Sequence, residues 1–273
     1  MTNPLITDDL TLALTLAEIA DAISLARFQA HDLIISIKPD RSQVTDADKA
    51  VERAISDRLQ QERPNDSILG EEYGTVEAGS HSASPRARTG HRQWVIDPID
   101  GTANFMRGVP GWATLISLEV DRVPQLGVVS APATDTRWWA TRGGGAWKEV
   151  AGEVPQRLRV SAIEQLGDAW LSFQSLAQWD QAGHLDTLVE LSRKTWRDRA
   201  FGDSWSYMLL AEGLIDITAE FDVKPYDLSA VVTIVEEAGG RFSSIDGSPG
   251  AWQGNSLATN GLLHSQVLEI FNR

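Results

Sequence analysis

Apolar positions along the chain repeat with two different periods, and the change of period divides it. Near the N-terminus, Leu10, Ala13, Leu14 and Ala17 form one helical stripe and Leu12, Leu16, Ile19 and Ile23 a second. Thr7 is placed to cap that helix, and Asp8 and Asp9 suit its positive end. Apolar residues on two sides predict a helix held between other layers. A second helix is expected over 47–63, where Val51, Ala54, Ile55 and Leu59 recur at helical spacing and Pro64 follows as a stop.

The pattern then shortens. Segments 94–96, 113–120, 126–130, 137–141 and 146–148 are short and apolar or alternating, with Asp121, Pro132 and Gly143-Gly144-Gly145 as turns between them. They predict an antiparallel meander packed against the first two helices. Past about residue 155 helices and strands alternate, with 204–212 helical, 215–219 a strand and 228–238 an amphipathic helix. That last helix carries Leu228, Val231, Val232 and Val235 on one face and ends at Gly239-Gly240. Segment 77–92 has no periodicity and reads as a mobile loop. The whole is a mixed α/β chain, read as one domain over 1–273 with subdomains of about 1–155 and 156–273.

Composition narrows the function. The chain has 24 Lys and Arg against 38 Asp and Glu, a net charge of −14, which argues against nucleic acid or an anionic membrane as a partner. With 42% hydrophobic and 23% charged residues among 273, it has material for a sizeable core. It contains no cysteine, so disulfides, thiolate metal sites and Cys nucleophiles are excluded. The five histidines lack zinc spacing. No basic, apolar leader opens the chain and no apolar run reaches membrane-spanning length, so a cytoplasmic protein is expected.

The informative chemistry is acidic. In Trp94-Val95-Ile96-Asp97-Pro98-Ile99-Asp100-Gly101-Thr102 an apolar strand runs straight into two carboxylates. Pro98 stiffens the turn and Gly101 frees the next one, so several oxygens can aim at one point, as Mg²⁺ requires. Alone, this run is equally an Asp-rich turn. Gly70-Glu71-Glu72 repeats the arrangement after Ile68-Leu69, Asp46 and Asp48 precede the second helix, and Asp227 stands where the 228–238 helix begins. Each of the last two also reads as a helix cap. Four acidic groups at the edges of elements suggest a shared purpose.

These motifs, in this order and with Glu236-Glu237-Ala238-Gly239-Gly240 behind them, resemble the inositol monophosphatase superfamily of Mg²⁺-dependent phosphatases. The resemblance covers nearly the whole chain. It implies an αβαβα sandwich, commonly a homodimer, and two or three Mg²⁺ per active site. It also implies that Glu71, Asp97, Asp100, Asp227 and the carbonyl of Ile99 are metal ligands, with Lys38 near an additional metal position. Asp48 and Thr102 match the pair that, with Glu71, orients the attacking water. Where the motif usually has Trp-Asp, this chain has Tyr226-Asp227.

By the same resemblance, Asp100, Gly101, Thr102, Ala103 and Asp227 surround the phosphate, and Arg199, Asp203 and Glu220 the leaving group. Asp203, Trp205, Glu220 and Asp222 make that region acidic and aromatic, which suits an ammonium or imidazole. The stretches 104–113, 130–132, 137–140 and 197–203 look like those of the superfamily's histidinol-phosphate phosphatases. The expected activity is therefore hydrolysis of a small phosphate ester, L-histidinol phosphate first. Inositol 1-phosphate or a broad range of sugar phosphates is the alternative, and a catalytically silent anion-binding regulator is the alternative outside the enzymes.

Overall fold

In the computed structural model, which describes residues 4–39, 42–78 and 90–273, helices and sheets alternate in five layers. The first half comprises α1 (Pro4–Arg27), β1 (Ile35–Ile37), β2 (Gln43–Thr45), α2 (Asp46–Glu62), β3 (Ser67–Gly70), β4 (Gly74–Val76), β5 (Arg92–Asp100) and α3 (Thr102–Arg107). The meander follows as β6 (Ala113–Val120), β7 (Val123–Ala131), β8 (Thr136–Thr141), β9 (Gly145–Val150) and β10 (Gln156–Arg157). The second half has β11 (Trp170–Phe173), α4 (Leu176–Gln181), α5 (Leu185–Lys194), β12 (Arg197–Arg199), α6 (Asp203–Ala211) and β13 (Ile217–Phe221). It closes with α7 (Pro225–Glu237), β14 (Arg241–Ser243), β15 (Asn255–Thr259) and α8 (His264–Phe271).

The larger sheet has eight strands in the order β10-β9-β8-β7-β6-β5-β3-β4, antiparallel except where β3 runs parallel to β5. A small sheet has five, in the order β12-β11-β13-β15-β14, and β1 and β2 pair separately as a two-stranded ribbon. One core lies between α1, α2 and the outer face of the large sheet, through Leu16, Ile55, Trp94 and Ile116. A second joins α6 and α7 to the inner face of that sheet and to the small sheet, through Leu115, Tyr207, Val231 and Phe242. A third covers the far face of the small sheet with α4, α5 and α8, through Trp179, Leu191 and Val267. The order is therefore αβαβα, as the resemblance implies. Successive side chains of β8 point to opposite faces, so Trp138 enters the second core and Trp139 packs on the first.

Several local expectations are corrected. Thr7 is not a cap, because α1 already runs from Pro4, and the Thr7 carbonyl accepts from the Thr11 hydroxyl. Asp9, 2% exposed, instead joins Arg63 and Arg92 at 2.9 and 2.8 Å. Nor does α1 bury two sides: Leu12, Ala13, Leu16, Ala17 and Ala20 form its one fully buried stripe, as befits an outer layer. The last amphipathic helix starts at Pro225, three residues before Leu228, because a proline in the first turn gives up no hydrogen bond. Of the loop expected at 77–92, residues 79–89 lie outside the described residues, as does His81. Among the described residues, no helix is long and apolar enough to cross a membrane.

His264 gives the fold a pH response. It is fully buried, with Nε2 2.9 Å from the Ser243 hydroxyl and Nδ1 3.1 Å from that of Thr259. Burial, with Arg241 nearby, pushes its pKa from 6.5 down to about 4. The unfolded chain takes up this proton below about 6.5 and the folded one only near 4, so stability is lost as pH falls through that window. His264→Gln should remove about 3 kcal/mol of the pH dependence between those limits. Urea titrations at pH 6.5 and 4.5 check this, and parallel losses in both proteins would contradict it.

Candidate active site and metal centre

The acidic residues meet where the two halves of the molecule adjoin. β5 ends by carrying Asp97 and Asp100 out of the first core, and its pairing with β6 is interrupted between these two residues. Asp97 accepts from the Ile99 amide at 3.0 Å across the Pro98 turn. Gly101 follows at φ +85°, a left-handed conformation that a side chain resists, and a Cβ there would lie 3.0 Å from the Gly111 carbonyl. Thr102 then opens α3.

Asp97, Asp100 and Asp227 bring carboxylate oxygens within 4.8 Å of one another. Asp227 is not the cap of α7 but its third residue, and it accepts from the amide of Lys224, the actual cap, at 2.6 Å. Asp100 accepts from the Ser204 amide at 2.7 Å, at the start of α6. A second cluster of Asp48, Glu71 and Glu72 meets the same 4.8 Å limit. The set expected as one cage is thus divided, with Glu71 in the second group. The two remain in electrostatic touch, since the charge of Glu71 raises the pKa of both Asp97 and Asp227.

Electrostatics explains why a cation belongs here. Asp97 and Asp100 are 2% and 7% exposed. Burial and then neighbouring carboxylates, Glu71 first for Asp97 and Asp203 first for Asp100, push both well above the usual carboxylate range. Asp227 is pushed up to about 7, mainly by burial. Among the described residues none of these three forms an ion pair with Lys or Arg. Buried like charges without a counter-charge are costly, and an all-oxygen donor set is what a hard divalent cation takes. The residues present therefore fit Mg²⁺.

The second cluster has its own cation. Lys38 lies 2.8 Å from Glu71 and 2.6 Å from Glu72, and these bonds hold its pKa above the ordinary lysine value although burial works against it. Glu72 is raised to about 7, chiefly by burial. The turn carrying both glutamates is fixed by Glu52 on α2, which accepts from the Glu72 and Tyr73 amides at 2.7 and 2.9 Å. A Cβ on Gly70 would fall 1.9 Å from the Glu52 carboxylate, so a larger residue there would push Glu52 off the amides it holds.

Asp48 and Thr102 come together as expected. The Thr102 hydroxyl is 3.2 Å from Asp48 and 3.0 Å from the Ile99 carbonyl. The other Asp48 oxygen accepts from the Thr45 amide at 2.8 Å and its hydroxyl at 2.5 Å. Thr45 and Asp48 form a capping box, so the capping role and the site role coexist in one residue.

Beside the cluster of Asp97, Asp100 and Asp227 a pocket is walled by Asp203, Glu220, Asp222, Gln174, Gln178 and Tyr207. Gln174 holds Asp203 from both sides, donating to its carboxylate at 2.7 Å and accepting from its amide at 2.8 Å. That clamp supports Asp203 at φ +51°. Glu220 is 3% exposed and its carboxyl is pushed well upward by burial. Sequence reasoning missed Glu52, Gln174, Gln178 and Tyr207. Trp205 packs edge-on against Trp138, 5.6 Å between centroids, and is not among the pocket walls. Arg199 lies exposed on the edge strand β12, donating to the Asp198 carbonyl, and Ala103 is exposed on α3; neither lines this pocket.

The chain matches the model of the inositol monophosphatase family over residues 7–273. It is 51% identical to a protein named histidinol-phosphatase from Mycobacterium tuberculosis, over 97% of this chain and 98% of the relative. It is 46% identical to one of the same name from Streptomyces coelicolor, over 97% of each. Among solved structures, an inositol monophosphatase from Zymomonas mobilis is similar with a TM-score of 0.81 and 32% identity, over 98% of both chains. With its layers, its acidic motifs and its full-length likeness in agreement, the chain belongs to the inositol monophosphatase family.

Proposed function

We propose that this chain is a Mg²⁺-dependent phosphomonoesterase that hydrolyses L-histidinol phosphate to L-histidinol and phosphate. The observation that carries the reading is the convergence of three carboxylates, the buried Asp97 and Asp100 and the half-buried Asp227, beside a pocket whose charged walls are all acidic. The names of the relatives at 51% and 46% identity support the substrate.

Asp97, Asp100, Asp227, Glu71 and the Ile99 carbonyl would hold two or three Mg²⁺. Bound there, the metal supplies neutralising charge for the phosphoryl oxygens and acidity to the attacking water. The Asp48 carboxylate accepts the Thr102 proton, which leaves the hydroxyl oxygen free to accept from that water and align it. The water oxygen forms the new bond to phosphorus, the ester P–O bond breaks, and the proton that the water gives up ends on the leaving oxygen. Backbone amides of Gly101, Thr102 and Ala103, with the positive end of α7, would face the phosphate. Glu220 and Asp203 would receive the cationic nitrogens of the leaving group, and Arg199, exposed on β12 outside that pocket, would be a further substrate contact. A single domain with two subdomains, a cytoplasmic location and a homodimer complete the reading.

The test compares kcat/KM on histidinol phosphate, inositol 1-phosphate and p-nitrophenyl phosphate in Mg²⁺. One charge-assisted hydrogen bond of about 1.5–3 kcal/mol gives histidinol phosphate an advantage of roughly 10- to 150-fold. A preference for inositol 1-phosphate would overturn the substrate, and no turnover on any ester would leave a silent anion-binding protein.

A further inference from the structure

Glu220 is an acid inside β13, a strand buried at every position. One of its oxygens, Oε2, accepts from the Tyr207 hydroxyl at 2.9 Å. The same hydroxyl lies 2.6 Å from Ser256 Oγ, and Ser256 pairs directly with Glu220 across β13 and β15. Tyr207 has a single proton and gives it to Glu220, so Ser256 donates to Tyr207. The Ser256 proton therefore goes to the Tyr207 oxygen, and the Tyr207 proton to one carboxylate oxygen of Glu220. The other oxygen, Oε1, has no protein partner although it is buried. A buried acceptor left in this state costs free energy until a donor arrives. The nearby Gln178 amide oxygen is also buried and without a partner, in the wall of the same pocket.

Tyr207 also ties this arrangement to the metal end. It stands three residues beyond Ser204 and four beyond Asp203, so all three share one face of α6. Ser204 holds Asp100 through its amide, and Tyr207 holds Glu220 through its hydroxyl. One turn of helix thereby spaces the carboxylate that would hold metal from the carboxylate that would hold the leaving group.

We propose that Tyr207, braced by Ser256, is the positioning residue that fixes Glu220 so that its free oxygen receives a nitrogen cation of the leaving group, and thereby sets substrate preference. The proposal rests on the reading of this pocket as the site for a cationic leaving group. Tyr207 does not touch the reacting atoms. It acts by restricting Glu220 to one orientation, which a carboxylate with both oxygens free would not keep.

The test uses Tyr207→Phe, which keeps the ring that packs 6.0 Å from Phe242 and deletes only the hydroxyl. With Mg²⁺ present, kcat/KM on histidinol phosphate should fall about 10- to 100-fold more than on p-nitrophenyl phosphate, with most of the loss in KM. Ser256→Ala, which leaves the Tyr207 bond in place, should shift the same ratio by a smaller factor, about 3- to 10-fold. It serves as the second variant if Tyr207→Phe unfolds. Equal losses on both esters, or an unchanged ratio in both variants, overturn the proposal while the substrate reading stands. A wild-type protein without preference for histidinol phosphate overturns the substrate reading, and the proposal falls with it.

Discussion

Asp97→Asn should leave a folded protein that has lost about 10³-fold or more of its turnover. The amide keeps the shape of the carboxylate and can still accept from the Ile99 amide, 3.0 Å away in the native chain. It cannot balance a divalent cation, and metal stabilisation of phosphoryl transfer is worth several kcal/mol, at about 1.4 kcal/mol for each tenfold. Removal of the metal from the native protein by EDTA should reproduce the loss, and added Mg²⁺ should reverse it only in the native protein.

The same site predicts a proton linkage. The raised pKa of Asp227, about 7 against an ordinary 3.8, means that the metal-free fold holds a proton that the unfolded chain has released. Its contribution to stability is present below about 4 and lost as pH rises through about 7. Mg²⁺ competes with that proton, so its thermal stabilisation should be larger at pH 8 than at pH 5.5, and much reduced at both in Asp97→Asn. Full turnover in EDTA, or an equal Mg²⁺ effect on Tm at both pH values, would refute the metal assignment.

How much of this was legible depended on distance along the chain. Asp97, Asp100 and Thr102 lie within six residues, so a stiff turn and a glycine announce them together. Asp227 was legible as an acid where the 228–238 helix begins, but its place inside the helix was not, because a first-turn aspartate and a cap aspartate look alike in sequence. The helices and the meander were readable from the change of period, whereas the five-layer order came from the family resemblance, and α1 was misread as two-sided. Leu10 and Leu14 of one expected stripe and Ile19 and Ile23 of the other are only half-buried at an outer surface, a distinction that periodicity does not carry. Gln174, Gln178 and Tyr207 could not be found at all. Each acts on a residue 13 to 29 positions away through a fold contact, or through a vacancy in hydrogen bonding. Glu220 could have been suspected from physics alone, since an acid flanked by Ala219 and Phe221 in a buried strand needs a reason to be there.

Thr102→Ala is expected to lower kcat by about 10²- to 10⁴-fold while KM for the phosphate ester changes little, the range typical of a lost proton-transfer or water-positioning group. The side chain is a small hydroxyl at the start of α3, so alanine removes one methyl and one oxygen without opening a core. What disappears is the link from Asp48 at 3.2 Å, whose other oxygen is already occupied by Thr45. Asp48 alone cannot replace it, because the capping box fixes its carboxylate at the N-terminus of α2. Serine keeps the hydroxyl and should restore most of the rate, which separates alignment of water from loss of the methyl. The capping box does not involve Thr102, so Tm should fall by only a few degrees, whereas Asp48→Ala should cost both stability and rate. If Thr102→Ala hydrolysed the ester at the native rate, another group would have to align the water, and the pairing of Asp48 with Thr102 would be a helix contact alone.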